Sequence, residues 1–168
     1  MTRRHPSGTP RSPYITRAGW EALHQEQETL WKRRRDVVVH LSAAAAEGDR
    51  SENAEYIYRK KQLRELDRRI RYLQKRLPVL KVVESHPDKT DQVFFGAWIT
   101  LAGPAGEETV YRIVGADEFD PKRNWISVDS PMARALLKRR VDDEVVVETP
   151  GGRTELLILK VRYRLGSE

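Results

Sequence analysis

Two long helical patterns, each with a single apolar stripe and joined by a short acidic connector, constrain this chain most. After Thr16, apolar or small residues fall at Trp20, Leu23, Leu30, Val37, Leu41 and Ala44, with polar Gln27 and Arg34 in the intervening slots. The spacing alternates three and four, which is a heptad seam. The same alternation recurs at Leu63, Leu66, Ile70, Leu73, Leu77 and Leu80. A helix with one apolar stripe cannot stand alone in water. A short connector makes the two helices antiparallel neighbours, so the pattern predicts a helical hairpin. Thr16 suits the N-cap of the first helix, which is expected over 16–46, with the second over 51–77. Pro78 supplies no amide hydrogen and should end the second helix near Leu77. At 1.5 Å per residue such helices make a rod of roughly 40–45 Å.

Charge is split along the chain. Residues 1–83 carry 19 Lys and Arg against 10 Asp and Glu, a net +9, whereas residues 84–168 carry 12 against 15, a net −3. The basic half is a candidate for phosphate contact, because clustered cations displace condensed counterions. A solvated helix surface with Arg/Glu pairs is the plainer account of the same run. There are no cysteines, which excludes disulfides and thiolate metal sites. His5, His24, His40 and His86 have no ligand spacing, so a structural zinc site is not expected. No run approaches the ~18 apolar residues of a membrane span, and the basic N-terminus is followed by no apolar core. A soluble cytoplasmic protein with no membrane partner is the expectation.

Residues 1–13 hold three prolines and almost no apolar side chains, and read as a disordered basic arm. The hairpin is expected over 14–83, with its acidic tip near 47–55. The polar, turn-rich stretch 84–92 reads as a linker. From 93 to 168 short β-rich runs take over, at 93–101, 109–114, 125–128, 144–148 and 155–161. A short helix is expected at 131–138, with proline in its first turn, and Thr149-Pro-Gly-Gly-Arg153 marks a hairpin turn. The fold class is α+β, with a small C-terminal domain of docking character. That domain has no phosphate-binding glycine loop and no nucleophile elbow.

The chemistry of interest lies in the connector, Glu47-Gly-Asp-Arg-Ser-Glu-Asn-Ala-Glu-Tyr56. Asp49 and Glu52 lie three residues apart, about one turn if both are at a helix start. Two such carboxylates can hold one Mg²⁺ loosely, since magnesium takes oxygen ligands and often only one or two carboxylates plus a substrate phosphate. Alone they make a poor site, so a partner must supply the first metal, the substrate and further ligands. The same Asp-x-x-Glu spacing is also a capping box, with Ser51 a competing N-cap. Glu47 and Glu55 are further acidic candidates. Asn53 and Tyr56 suit either fixing the tip or touching a partner, and Tyr56 equally suits seam packing. On the second helix Lys60, Arg64, Arg68 and Arg71 follow helical spacing, with Lys61 beside them. A basic stripe leading to an acidic tip suits a single nucleic-acid strand held by its phosphates.

Together these residues resemble the Gre family of bacterial transcript cleavage factors, in its GreB branch. The resemblance is carried by Gly48-Asp-Arg-Ser-Glu-Asn-Ala-Glu-Tyr56, by Lys60-Lys61 followed by Leu63-Arg-Glu-Leu-Asp-Arg-Arg-Ile-Arg-Tyr-Leu73, and by four C-terminal motifs: 93–98, 111–115, 126–137 and 149–152. It covers residues 13–163. It implies an antiparallel coiled coil followed by an FKBP-like domain. It also implies binding to bacterial RNA polymerase that has slid backward, with the coiled coil in the secondary channel and the C-terminal domain at its rim. The factor is then not an enzyme itself. It stimulates the polymerase's own Mg²⁺-dependent cleavage of the nascent RNA 3′ segment.

By position, Asp49 and Glu52 match the catalytic acidic pair sharing the polymerase Mg²⁺, and Ser51, Asn53 and Glu55 support the tip. Lys60, Lys61, Arg64, Arg68 and Arg71 match the RNA-contacting basic patch, and Asp129, Ser130 and Pro131 the polymerase-docking loop. The expected species is a monomer that holds no metal of its own and joins the nucleoid through polymerase. Other activities fit the residues too: a non-cleaving regulator of the same channel, a free-standing nuclease, or a coiled-coil dimer acting as a scaffold.

Overall fold

The computed structural model describes residues 10–47, 53–84 and 91–163. The chain divides into two units: Trp20–Leu80, and a second that joins the chain up to Gly19 with the chain from Lys81 onward.

The first unit is the helical hairpin. Helix α1 spans Arg17–Ala46 and α2 spans Ala54–Arg76. On α1 the buried residues are Leu23, Leu30, Val37 and Ala44, one per heptad, and on α2 they are Leu66, Ile70 and Leu73. Gln27, Arg34 and Leu41 fill the alternate seam positions half-buried. Contacts across the seam fix the direction: Glu26 meets Arg69, Arg34 meets Asp67, and Ala44 meets Asn53, so positions climb one helix as they descend the other. Arg34 is the informative member of this set. It occupies a seam slot where an apolar residue would ordinarily sit, and its Nε lies 2.6 Å from Asp67 Oδ1. A charged pair in a seam contributes little net stability but penalises other registers and partners, which leave one charge unmatched. The helix ends where proline requires. Leu77 caps α2, and Leu77–Val79 form a single 3₁₀ turn around Pro78.

The second unit begins with a strand that the sequence reading missed. Tyr14–Ile15 (β1) pairs in parallel with Lys81–Val82 (β2). Thr16 then caps α1, its Oγ1 accepting from Gly19 N at 3.1 Å, and its amide and hydroxyl both donate to the Glu118 carboxylate. These bonds group residues 14–19 and 81–83 with this unit, at the two ends of the stretch expected as the hairpin. The arm expected through residue 13 also differs at its end: Ser12 is hydrogen-bonded to Asp129, and Pro13 O accepts from Lys81 N at 2.7 Å. Polar and proline-rich composition suggested disorder, but backbone pairing needs no apolar side chain. The ends of the stretch expected as a linker are likewise engaged, Glu84 with Arg17 and Asp91 with Arg140.

Five strands form the main sheet: β3 (Trp98–Ala102), β4 (Glu108–Val114), β5 (Trp125–Ser127), β6 (Glu144–Thr149) and β7 (Gly152–Arg162). Their order is β5-β4-β3-β7-β6, antiparallel except for the parallel β4/β5 pair. The first strand expected, 93–101, starts late. Residues 93–97 turn instead, with Gly96 at φ 86°, a left-handed conformation that disfavours any side chain. One face of the sheet carries Ile99, Leu101, Ile113, Val145 and Ile158, which pack with Ala133 and Leu136 of α3 (Pro131–Leu136). Burying each large aliphatic side chain contributes about 1.5–3 kcal/mol. The other face carries a cross-strand ladder. The Arg112 guanidinium lies 3.8 Å from the Trp98 ring centre and 4.9 Å from that of Trp125, and Arg123 stacks on Trp125 at 4.9 Å. Burial lowers the Arg112 pKa from its ordinary value, and the Glu118 carboxylate opposes that shift. Among the described residues no helix is long and apolar enough to cross a membrane.

Candidate functional site

The hairpin tip is built around Asn53. It is the N-cap of α2: its Oδ1 accepts from Tyr56 N at 3.1 Å, and its carbonyl accepts the first intrahelical bond, from Ile57 N at 3.1 Å. Its Nδ2 donates to Ala44 O in the last turn of α1, at 2.7 Å. One side chain therefore satisfies an orphan amide of α2 and an orphan carbonyl of α1, two groups that helix termini always leave over. Asp and Ser cap as well as Asn but have no second N–H to give. The helix start expected at Ser51 is corrected to Ala54, and the N-cap role left open between Asp49 and Ser51 belongs to Asn53. Asp49, Ser51 and Glu52 lie outside the described residues. The chain that carries them joins two helix ends that Asn53 ties together.

Glu55 lies in the first turn of α2, where a carboxylate suits the helix dipole. Its Oε1 accepts from Arg59 Nε at 2.7 Å, and Arg59 also donates to Gln62 at 3.1 Å. Arg59 stands seven residues before Leu66, so the α2 seam turns from apolar to polar as it nears the tip. Tyr56 is half-buried, with Lys60 Nζ 5.8 Å from its ring centre.

Lys60, Lys61, Arg64, Arg68 and Arg71 are all exposed. At about 100° per residue, Lys60, Arg64, Arg68 and Arg71 fall within an arc of about 80°, across the helix from Leu66, Ile70 and Leu73. Among the described residues none of the five has an acidic partner in ion-pair range, whereas Arg34, Arg59 and Arg69 are all paired. Asp67, Glu55 and Glu26 thus hold Arg34, Arg59 and Arg69, and the outer stripe meets no acid in ion-pair range among the described residues. Beside it a groove of about 410 Å³ opens between Arg33 and Leu30 of α1 and Tyr58, Lys61, Glu65 and Arg69 of α2.

The loop from β5 into α3 holds Asp129, Ser130 and Pro131 together. Ser130 caps α3, accepting from Ala133 N at 3.1 Å, and Pro131 is exposed in the first turn. Ser130 N donates to Ser127 O at 2.9 Å, and Asp129 N to Ser127 Oγ at 3.1 Å. The loop is fixed by its own bonds, with the Asp129 carboxylate turned to Ser12. That contact gives no local sequence signal, because the two residues are 117 positions apart. Asn53 did give one: an Asn immediately before an unbroken helical run is a strong cap signal. No cluster of three His, Asp or Glu able to hold a metal occurs among the described residues.

Comparison with known proteins bears on both units. The model of the transcription elongation factor N-terminal region matches residues 13–82, and that of the GreA/GreB transcription elongation factor C-terminal region matches residues 87–163. The chain is 59% identical over 154 residues to transcription elongation factor GreB of Pasteurella multocida, covering 91% of this chain and 98% of that protein. It is 54% identical over 166 residues to GreB of Xanthomonas axonopodis pv. citri, covering 97% and 98%. Among solved structures, GreA factor homolog 1 of Thermus thermophilus is 25% identical and covers 90% of this chain and 99% of its own, with a TM-score of 0.42.

Proposed function

Because the chain belongs to the GreA/GreB family of transcription elongation factors, we propose that it enters the secondary channel of backtracked bacterial RNA polymerase and stimulates cleavage of the nascent RNA 3′ segment. The observation that carries this reading is the tip. Two antiparallel helices end in a short acidic connector whose base is closed by the Asn53 bridge. A narrow hairpin presenting Asp49 and Glu52 suits delivery of carboxylates into a deep site.

The donor set fits a shared Mg²⁺. Two carboxylates are too few to retain the ion alone, and hard oxygen ligands are what magnesium takes. When bound, the ion neutralises phosphate charge and makes its water more acidic. Asp49 would share the ion as an oxygen ligand, and Glu52 would help hold it or position the attacking water. Asn53 ties together the two helix ends that the connector joins. Glu55 neutralises Arg59 at the start of α2. The unpaired stripe Lys60, Lys61, Arg64, Arg68 and Arg71 draws the phosphates of the extruded RNA strand along the helix. Asp129, Ser130 and Pro131 dock at the polymerase rim. The protein works as a monomer, since its seam is buried within one chain and its charged seam residue, Arg34, has its partner in the same chain.

The test is a backtracked polymerase complex with end-labelled RNA, assayed with wild type, Asp49→Ala and Glu52→Ala at fixed Mg²⁺ and equal occupancy. Rapid cleavage with wild type and a loss of more than about tenfold in either variant is expected, since removing even one preorganised group that stabilises transition-state charge typically costs about 10²–10³ in rate. Unchanged cleavage in both variants overturns the metal role. Binding without any stimulation by wild type makes the protein a non-cleaving regulator of the channel.

A further inference from the structure

The groove beside the basic stripe carries an exposed aromatic ring on its wall. Leu30 and Arg33 of α1 and Tyr58, Lys61, Gln62 and Glu65 of α2 line a volume of about 410 Å³, within the ~300–1,000 Å³ typical of small-molecule sites. Tyr58 is 58% exposed. Lys61 belongs both to this wall and to the basic set read as the RNA contact. We propose that the groove takes one unstacked nucleobase of the extruded RNA strand, laid on the Tyr58 ring, while Lys61 and Arg33 hold the flanking phosphates. The proposal deepens the reading of the stripe as an RNA contact and rests on it.

Three observations support it. First, the ring stands between the seam and the stripe. At about 100° per residue, Tyr58 lies about 80° round α2 from the buried Leu66, and Lys61 lies about 60° further on, toward Arg64 and Arg68. Single-strand sites combine cations for the phosphates with an aromatic face for the bases, and here the two are adjacent. Second, the charges are sorted for a nucleotide. Arg33 and Lys61 are exposed and have no acidic partner in ion-pair range among the described residues, whereas Arg69, at the same groove, is held by Glu26. Glu65 repels phosphate from the groove but accepts from a base N–H. Gln62 Oε1 already accepts from Arg59 at 3.1 Å, so its amide N–H is the group it can offer a base. One donor and one acceptor can be met by the Watson–Crick edge of any base, which makes the site tolerant of sequence. Third, the ring is on the path. Tyr58 lies five residues beyond the cap at Asn53, about 7–8 Å along the axis, and the stripe continues from Lys60 to Arg71. A strand leaving the tip meets Tyr58 first and the cations after it. Ile57, 53% exposed, adds apolar surface at the same level.

The consequence is a part of the affinity that salt does not remove. Phosphate contacts weaken steeply with ionic strength, because they act by counterion release. Stacking of one base on an aromatic ring changes affinity at least about fivefold and does not depend on counterions.

The experiment measures equilibrium binding of the full-length protein to a short single-stranded RNA and to a strand of equal length and charge that lacks its bases, over a range of salt. Wild type is compared with Tyr58→Phe, Tyr58→Leu, and Arg64→Ala with Arg68→Ala, each shown to be folded by circular dichroism. Wild type should bind RNA at least about fivefold tighter than the abasic strand. Tyr58→Phe should keep that preference. Tyr58→Leu should lose it, binding RNA about fivefold more weakly with an unchanged salt slope and the abasic strand as wild type does. The double stripe variant should weaken both strands alike and lower the slope. If the stripe variant behaves so but Tyr58→Leu binds both strands as wild type does, the stripe stands and the base site does not. If Tyr58→Leu and Tyr58→Phe weaken both strands equally, Tyr58 supports the helix and the base site is overturned. If Tyr58→Leu leaves RNA binding alone but weakens binding to core polymerase free of nucleic acid, the groove holds protein and not a base. If the stripe variant changes neither strand, the reading of the stripe fails and the proposal falls with it.

Discussion

Replacing Asn53 separates two jobs that one side chain performs. In Asn53→Ala both the cap to Tyr56 N and the bridge to Ala44 O are lost. A cap of this kind is worth about 1 kcal/mol, and a hydrogen bond that leaves a carbonyl to find water adds about another 1 kcal/mol. The hairpin should therefore lose about 2 kcal/mol. Asn53→Asp keeps the cap and its charge suits the helix dipole, yet it has no N–H for Ala44 O and sets a carboxylate against a carbonyl. It should lose about 1 kcal/mol. Urea unfolding of the full chain followed at 222 nm gives the order wild type, Asp, Ala. The tip carboxylates are intact in both variants, so cleavage of backtracked RNA reports only on how well the connector is held. Loss of about 1 kcal/mol of anchoring lowers the ratio of held to released connector about fivefold, and subsaturating cleavage by Asn53→Asp should fall by up to that factor. Equal stability of Asp and Ala variants would refute a separate cap, and wild-type stability in both would refute the bridge altogether. A fall in cleavage without a fall in stability would mean that Asn53 touches the reaction instead of the helix ends.

Three other outcomes follow from particular contacts. Arg34 and Asp67 side chains are each about one-third exposed (34% and 33%), so a double-mutant cycle with alanines should give a coupling of only about 0.5–1 kcal/mol; Arg34→Leu with Asp67→Leu should be at least as stable but self-associate in sedimentation, and a strictly monomeric double variant would refute the specificity role. Tyr163 donates its hydroxyl to Gln92 O and accepts from Phe94 N at 2.8 Å. Burial raises its pKa, opposed by the Phe94 bond and reinforced by the charge of Asp91. The neutral phenol is the stabilising form, so its contribution is complete below the ordinary value of about 10 and is lost as pH rises from there through the raised value. Tyr163→Phe should cost about 1–3 kcal/mol at neutral pH and flatten the alkaline limb of a stability–pH curve; an unchanged limb would assign it elsewhere. Arg112→Lys keeps the charge but not the plane that stacks on Trp98 and Trp125, and should lower stability by about 1 kcal/mol with a change in tryptophan emission; unaltered emission would mean the ladder is not formed in solution.

What could be read from the sequence divides by distance along the chain. The hairpin was legible because its signal is local and repeated: seven-residue spacing on one helix, the four-three pattern on the other, and a proline at the end. The strands were legible where β-branched residues alternate, as in β6, where Val145 and Val147 are buried and Val146 faces out. Trp98–Ala102 was overextended toward residue 93 because Val93-Phe-Phe is as apolar as a strand, and only Gly96 betrays the turn. The two-residue pair β1/β2 left no pattern at all. Its partners are separated by the whole hairpin, and hydrogen bonding of extended backbone needs no particular side chain.

The same division runs through the functional residues. The acidic connector and the basic stripe are each compact in sequence, so both could be named from it, including the stripe's surplus of charge. What composition could not supply was which residues are already spoken for. Arg34, Arg59 and Arg69 belong to the same basic helices, yet each is neutralised by an acid on its own or the facing helix. Lys60, Lys61, Arg64, Arg68 and Arg71 look identical to them on paper and remain unpaired among the described residues. Nucleic-acid affinity should therefore depend on the second set and barely on the first. In a salt titration of RNA binding, charge reversal within the stripe should reduce the slope by about one per residue. Reversal at Arg69 should leave the slope unchanged while it destabilises the hairpin. Equal effects on the slope from both sets would mean that the acids do not hold their arginines against phosphate.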